Sequence, residues 1–180
     1  GEEIDSYINF EFPQKLEIIG THAFAYCDIP NRAIISENVK EIGQYAFRGC
    51  TSLTSISLPE NITLKYGAFH SCSALTELTI PAGTNWTTDA FRYCTGLETV
   101  TIASGVNNIP NDAFSMCDKL SSISIASTVE TIMGNAFYYC NSLTLINFKG
   151  TEEQWKNIIK SADWNGDLTV NVVCSDKTIT

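Results

Sequence analysis

The chain has 180 residues, 44% of them hydrophobic and 17% charged, a balance that suits one ordered globular or solenoid domain and excludes intrinsic disorder. Eleven Lys and Arg stand against 20 Asp and Glu, and the resulting net charge of -9 would be repelled by phosphate backbones, which argues against a nucleic-acid partner. No apolar run approaches the roughly 18 residues of a membrane span. The chain opens on Gly1-Glu2-Glu3 without a signal peptide, which reads as either a cytosolic protein or a mature or trimmed one, Gly1 favouring the second.

In chain order, residues 1–20 read as a leading half repeat, with Phe10 and Phe12 in strand positions followed by Pro13, Leu16 and Ile19. Residues 21–149 read as six repeats of 22 to 23 residues. Ala23-Phe24, Ala46-Phe47, Ala68-Phe69, Ala90-Phe91, Ala113-Phe114 and Ala136-Phe137 open them, each followed by Cys27, Cys50, Cys72, Cys94, Cys117 or Cys140. Leu53, Leu75, Leu97, Leu120 and Leu143 follow three residues after Cys, with Pro30 as the exception, and pairs such as Ile56 and Leu58 stand six and eight residues after it. A fixed period of this length with dense apolar columns marks a solenoid. The Ala-Phe to Leu half has apolar residues at intervals of three and predicts a short helical turn, whereas the following alternation, as in Ser55-Ile56-Ser57-Leu58, predicts a half-buried strand closed by Pro59 or Pro81. One repeat cannot bury both faces, so successive strands should stack in parallel, seven in register including that of the half repeat.

Residues 150–180 depart from the period and read as a C-terminal helix-strand cap. Thr151-Glu152-Glu153-Gln154 fits a capping box, Trp155, Ile158 and Ile159 are expected on one helical face over the end of the core, and Leu168, Val170 and Val172 alternate as a last strand. All of this makes residues 1–180 one domain.

The repeat resembles the BspA-like leucine-rich repeat, a bacterial class with the pattern Ile-Gly-x-x-Ala-Phe-x-x-Cys-x-x-Leu-x-x-Ile-x-Ile-Pro, most literal from Ile42-Gly43 through Pro59. The likeness covers roughly residues 8–149, and the tail from Phe148-Lys149-Gly150-Thr151 through Cys174-Ser175-Asp176 is similar to the family's closing segment. The resemblance implies an α/β repeat fold: a right-handed leucine-rich repeat solenoid with its parallel β-sheet on the concave face and short helical turns opposite. It also implies secretion or surface display by bacteria and a role in adhesion or in binding proteins or other surfaces, and it supplies no catalytic residues. Departures predict local irregularity: a bulge over Asp28-Ile29-Pro30-Asn31-Arg32 with Ile29 in the vacant apolar role, and irregular turns near Lys65 to Gly67 and Asn85 to Thr88.

Strand alternation puts Ser55, Ser57, Glu77, Thr79, Thr99, Thr101, Ser122, Ser124 and Asn147 on the concave face, with Asn9, Glu11, Arg32, Ile34 and Leu145 in the same rows. Ser and Thr are tolerated on any exposed parallel sheet. The functional alternative is a weakly polar groove that accepts a protein edge or a glycan through many modest hydrogen bonds. Tyr26, Tyr93, Tyr138 and Tyr139 with Arg48 and Arg92 lie beside the Ala-Phe turns and offer a second candidate surface. The six repeat cysteines share one column, which predicts buried free thiols in place of a disulfide framework or a zinc site, and Cys174 is either packed under the cap or reactive. His70 and Cys72 should point to different sides of their turn, so no Cys-His nucleophile is expected. Asp163-Trp164-Asn165-Gly166-Asp167 reads as a turn, since Leu168 and Cys174 stand where a calcium loop needs Gly and an acid; Asn61-Ile62-Thr63 and Asn85-Trp86-Thr87 match the glycosylation sequon but carry little weight in a bacterial chain.

These features predict a non-catalytic extracellular or cell-surface interaction module that binds a protein or surface glycan, without cofactor or metal. The alternative is a structural spacer segment of a larger surface protein. No acid, base and nucleophile converge to suggest an enzyme.

Overall fold

The structure, a computed structural model, describes residues 9–29, 31–166 and 168–179, with side chains from Phe12 onward. The start of the leading half repeat, Pro30, Asp167 and the side chains of Asn9, Phe10 and Glu11 lie outside the described residues.

Alternation of buried and open residues makes the strands. In Ser122–Ile125, Ile123 and Ile125 are buried while Ser122 and Ser124 are half-open. The odd-numbered strands form the broad sheet: β1 (Asn9–Glu11), β3 (Asn31–Ile34), β5 (Leu53–Ser57), β7 (Glu77–Ile80), β9 (Thr99–Ile102), β11 (Ser122–Ile125), β13 (Leu145–Phe148) and β15 (Asn171–Val173). All run parallel, with Leu78, Val100, Ile123, Ile146 and Val172 aligned across five rungs. A second, narrow sheet of two-residue strands was not anticipated: β2 (Ile18–Ile19), β4 (Glu41–Ile42), β6 (Thr63–Leu64), β8 (Asn85–Trp86), β10 (Asn108–Ile109), β12 (Thr131–Ile132) and β14 (Ile159–Lys160). The chain is therefore a parallel β-solenoid of seven repeating rungs plus a cap.

Both sheets break once, and in the narrow sheet a proline accounts for the break. Ala103, Ala126 and Lys149 donate their N–H groups to Ile80, Ile102 and Ile125 of the preceding rung. Pro81 occupies the equivalent position after β7 and has no N–H, so this bond is missing where β5 and β7 fall into separate sheets joined through Thr76 N–H on Thr54 O at 3.2 Å. Pro59 stands at the same position after β5, yet β5 stays paired with β3, so the missing donor alone does not open the sheet. In the narrow sheet Lys65, Thr87 and Met133 make the matching bond, and Pro110 cannot, so β8 and β10 do not pair. The seven expected strands are present, but not in one unbroken ladder. The irregularity expected at Asn85 to Thr88 is absent from those residues, since Asn85 and Thr87 keep the regular rung bonds to Ile62 O and Leu64 O and the break lies beyond them at Pro110. That expected near Lys65 to Gly67 is absent, since Lys65 and Gly67 keep the regular rung bonds to Ile42 O and Thr88 O.

The Ala-Phe turns correct the expectation of helical turns opposite the sheet. Among the described residues the one α-helix is α1 (Glu152–Asn157) in the cap. In each turn two residues are left-handed, those five and one before Cys, such as Tyr45 and Gly49 (φ 53 and 70) or Asp89 and Tyr93 (φ 63 and 61). These two and the Phe between them turn their N–H groups to the next rung, as Tyr45, Phe47 and Gly49 do to Tyr66 O, Ala68 O and His70 O. Ala46, Arg48 and Cys50 bond back three residues within the turn. A helix would have spent every N–H internally and left nothing to join rungs. Left-handed backbone costs a non-glycine residue roughly 1–2 kcal/mol, and the axial hydrogen bonds offset it.

The interior follows from this stacking. Phe24, Phe47, Phe69 and Phe91 stack at centroid separations of 5.3, 5.0 and 5.1 Å. Beyond Phe91 the spacing opens to 6.0 and 5.8 Å through Phe114 and Phe137, where the Trp86 ring packs edge-on at 5.6 Å from Phe114 and donates its indole N–H to Asn108 O. Beside the rings, the Cys50, Cys72, Cys94, Cys117 and Cys140 thiols each donate to the Phe carbonyl of the rung before, at 3.1 to 3.3 Å. Cysteine suits the column because it is small, apolar and able to satisfy a second lone pair of that carbonyl. All seven cysteines are free, and Cys174 is packed under the cap. Cys27 departs from the expected buried column: it is exposed, because the half repeat before it supplies no Ala-Phe turn to cover it.

The expected bulge is present, with a register shift between Asn31 and Arg32, a left-handed Asn31 and a buried Ile29. In the cap, Thr151 and Gln154 form the capping box, and Trp155 and Ile158 are buried. Ile159 is the exception, 72% exposed. The helix stops at Asn157, Ile158 is already extended, and the period of two in β14 turns Ile159 outward. An antiparallel strand, β16 (Thr178–Ile179), covers the edge of β15.

Replacing Phe91 or Phe114 with Ala should cost about 3–5 kcal/mol in chemical denaturation, since each is a fully buried member of the stack; a loss below about 1 kcal/mol would remove the ring column from the core. With a thiol reagent in native buffer, Cys27 should label at once and the other six cysteines only on unfolding. Burial pushes the Cys140 thiol up to about 12, far from a reactive thiolate.

Candidate binding surfaces

The broad sheet presents the predicted hydroxyl rows in alignment. Glu77, Thr99 and Ser122 form one row with Leu145, and Thr79, Thr101, Ser124 and Asn147 form the next. Ser57, Glu77, Thr79, Thr99 and Thr101 are exposed, while Ser55, Ser122, Ser124 and Asn147 are half-buried. The rows are not uniform. Where β5 and β7 part, beside Pro81, the surface sinks into a groove of about 410 Å³, lined by Arg32, Ser55, Ser57, Glu77, Thr79, Thr99, Thr101 and Pro81. Six of the nine predicted residues line it, and Ser122, Ser124 and Asn147 lie outside it. Arg32 on β3 and Glu77 on β7 bring opposite charges to walls otherwise made of short hydroxyl side chains.

The turns carry a second surface. Three columns face outward beside the Ala-Phe pairs, five, two and one residues before each Cys. In the first four repeats they hold His22 and Tyr45, then Arg48, His70 and Arg92, then Tyr26 and Tyr93, and these side chains touch. The Arg48 guanidinium lies 5.6 Å from the Tyr26 ring centroid and 5.0 Å from that of Tyr45. Tyr45 stacks on His22 at 5.4 Å and meets Tyr66 and His70 edge-on at 5.2 and 6.0 Å, and His70 adjoins Tyr93 at 5.3 Å. Sequence columns alone pointed to Tyr26, Tyr93, Arg48 and Arg92; the signal for Tyr45 and His22 is that they share one column. Tyr138 and Tyr139, exposed and 4.4 Å apart, form a separate pair near the cap.

Charge on this face reverses along the axis. Arg92 lies over Tyr93 at 5.2 Å, but its Nη1 is 3.3 Å from Asp89 and 3.6 Å from Asp112. The Asp89 carboxylate and then the Tyr45 phenol push the Tyr66 phenol well above its ordinary value. His70 is pushed down by burial and then by Arg48, and its Nδ1 is 2.8 Å from Ser71 Oγ. Cys72 points the other way, its thiol buried against Phe47 O. Among the described residues no three His, Cys, Asp or Glu side chains gather to hold a metal ion, and no helix is long and apolar enough to cross a membrane.

A family profile described as the BspA type leucine rich repeat region matches residues 2–94 and 85–165, with six copies. In shape the chain is similar to the crystal structure of the pneumococcal vaccine antigen PcpA, at TM-score 0.75 and 22% identity over 92% of this chain and 42% of that one. It is also similar to a leucine rich cell surface protein from Faecalibacterium prausnitzii, at TM-score 0.58 and 28% identity over 86% of this chain and 35% of that one. A leucine-rich repeat protein from Eubacterium ventriosum gives TM-score 0.61 and 22% identity over 82% of this chain and 43% of that one. This chain thus spans less than half the length of each of the three. None of the curated proteins compared with it matches the chain.

Because folding holds His70 below its ordinary 6.5, the unfolded chain takes up a proton more readily than the folded one. His70 therefore contributes no loss above about pH 6.5 and an increasing one below it. The melting temperature should fall as pH drops from about 7 to 5, and His70→Gln should flatten that part of the profile. Glu152, lowered by Lys156 and Lys177 from 4.5, acts in a separate and more acidic window. An unchanged slope in His70→Gln would show that the turn face does not suppress His70 protonation.

Proposed function

The chain belongs to the BspA-type leucine-rich repeat family, and from that premise we propose that it is a non-catalytic interaction module of a bacterial cell-surface protein, binding a partner protein or surface polymer across its broad sheet. The observation that carries this is the groove at the β5–β7 break, where six polar side chains of the hydroxyl rows and Arg32 surround an opening of about 410 Å³. A missing ladder bond there leaves Leu58 O without the rung partner that Ile80, Ile102 and Ile125 have, so the groove walls offer backbone acceptors as well as hydroxyls. Many weak donors and acceptors in a shallow trough suit an extended polymer or a protein edge better than a compact metabolite. Surface display is supported by the descriptions of the pneumococcal and Faecalibacterium proteins, as an antigen and a cell surface protein.

A second reading, a spacer within a longer surface protein, is favoured by the chain spanning less than half of each of the three similar structures.

The purified chain, screened against extracellular-matrix proteins and a glycan array, should give a ligand whose binding is abolished when Ser57, Thr79 and Thr101 are all changed to Arg. Pro81→Ala, which restores the N–H facing Leu58 O, should narrow the groove and weaken the same ligand. A ligand indifferent to both variants would remove recognition from the broad sheet, and no ligand at all would favour the spacer.

A further inference from the structure

Arg48 and Arg92 occupy the same column of the turn face, two rungs apart, and differ in one respect. Arg92 is held between Asp89 and Asp112. Arg48 makes no ion pair or side-chain hydrogen bond among the described residues. Its guanidinium contacts two aromatic rings instead, those of Tyr26 and Tyr45 at 5.6 and 5.0 Å. Those rings are themselves seated on glycines. Tyr26 lies against Gly49 and Tyr45 against Gly67, both left-handed (φ 70 and 60), and a Cβ at either would collide with the ring. Tyr45 is fixed further by His22 and Tyr66. The outcome is a half-buried cation whose hydrogen-bond donors have no acceptor among the described residues, beside a Tyr26 that is 69% exposed.

We propose that Arg48, with Tyr26 and Tyr45, is a binding site for the carboxylate of a terminal acidic sugar, a sialic or uronic acid at the end of a surface glycan. A free guanidinium fork takes a carboxylate in two parallel hydrogen bonds. The open face of Tyr26 meets the C–H face of a sugar ring, and tyrosine hydroxyls lie at the rim for the sugar's own. Around Arg48 the rings of Tyr45, Tyr66 and His70 meet edge-on, and Tyr26 presents the exposed ring beside the guanidinium, which suits the face of a sugar ring. A long polyanion is disfavoured. Two and three rungs further on, Asp89 and Asp112 already hold Arg92, which therefore offers a second anionic group no free cation, and a ligand with its charge at one end matches Arg48 best. The site lies on the turns and is separate from the broad-sheet groove, so either can fail without the other.

The test is a calorimetric or NMR titration of the whole chain with 3′-sialyllactose, a glucuronic-acid disaccharide and lactose. Saturable binding of at least one acidic sugar with none of lactose is expected. Arg48→Gln should weaken it by about tenfold or more with the melting temperature held, as should Arg48→Lys, which keeps the charge and loses the fork. Lys119→Gln, an exposed cation elsewhere, should leave it unchanged. Equal binding of lactose, undiminished binding by both Arg48 variants, or no binding of either acidic sugar would overturn the proposal. So would stronger binding of an aspartate-rich peptide at the same residue.

Discussion

The solenoid depends on backbone N–H groups that point along its axis. In each turn the Phe and the two left-handed residues flanking it bond to the next rung, so a rung in isolation would leave three donors open on the turn side as well as a bare strand edge. That one arrangement positions everything else. It brings successive rungs within reach and so sets the Phe rings to stack at 5.0 to 6.0 Å. It also puts each thiol under the Phe carbonyl of the rung before. The ring pairs are each worth about 0.5–1.5 kcal/mol beyond their burial, and because every interior rung is used twice, the loss of one ring is felt on both sides.

A structure of this kind has to be closed at its ends, and the chain does so with edge-on rings. Phe12 meets Phe24 at 5.3 Å and 83°, and Trp164 meets Phe137 at 5.9 Å and 88°. Phe12 also lies 5.9 Å from Phe47, so it packs beside the first two rings of the stack, while Trp164 sets its ring perpendicular to the last one. At the cap, Trp155 packs between Phe148 and Trp164, and Lys160 lies 4.4 Å over Trp155 with its ammonium on the carbonyls of Trp155 and Ile158. At the first repeat Cys27 and Ala23 are exposed, unlike their buried counterparts in the later repeats.

The two proposed sites lie where the repetition is interrupted. Regular rungs give a uniform surface, and a uniform surface has no address. The broad sheet parts beside Pro81 at the groove between Arg32 and Glu77; Pro110 interrupts the narrow sheet beside Trp86. On the turn face, glycine at residues 49 and 67 in place of a bulkier left-handed residue leaves room for the two tyrosines that contact Arg48.

The columns were legible in the sequence because burial in a solenoid is periodic: the Phe, Cys and Leu positions, the strand alternation, the bulge at Asn31 and the capping box at Thr151 each follow from spacing or from local chemistry. The rows of Ser55 through Asn147 were legible on the same ground. The left-handed turns were not, since Tyr, Met and Ser at these positions carry no local preference for positive φ and adopt it with bonds to the next rung, although Gly, Asn, Asp and His in the same columns do favour it. Nor were the narrow sheet, whose strands are two residues long, and the helix end that exposes Ile159. The sequence by itself determined which residues repeat and therefore which are buried. Tertiary structure alone decided which neighbours in adjacent rungs meet, because Arg48 with its two tyrosines, or Pro81 opposite Leu58, become partners only when residues about 22 apart are stacked one rung on the next.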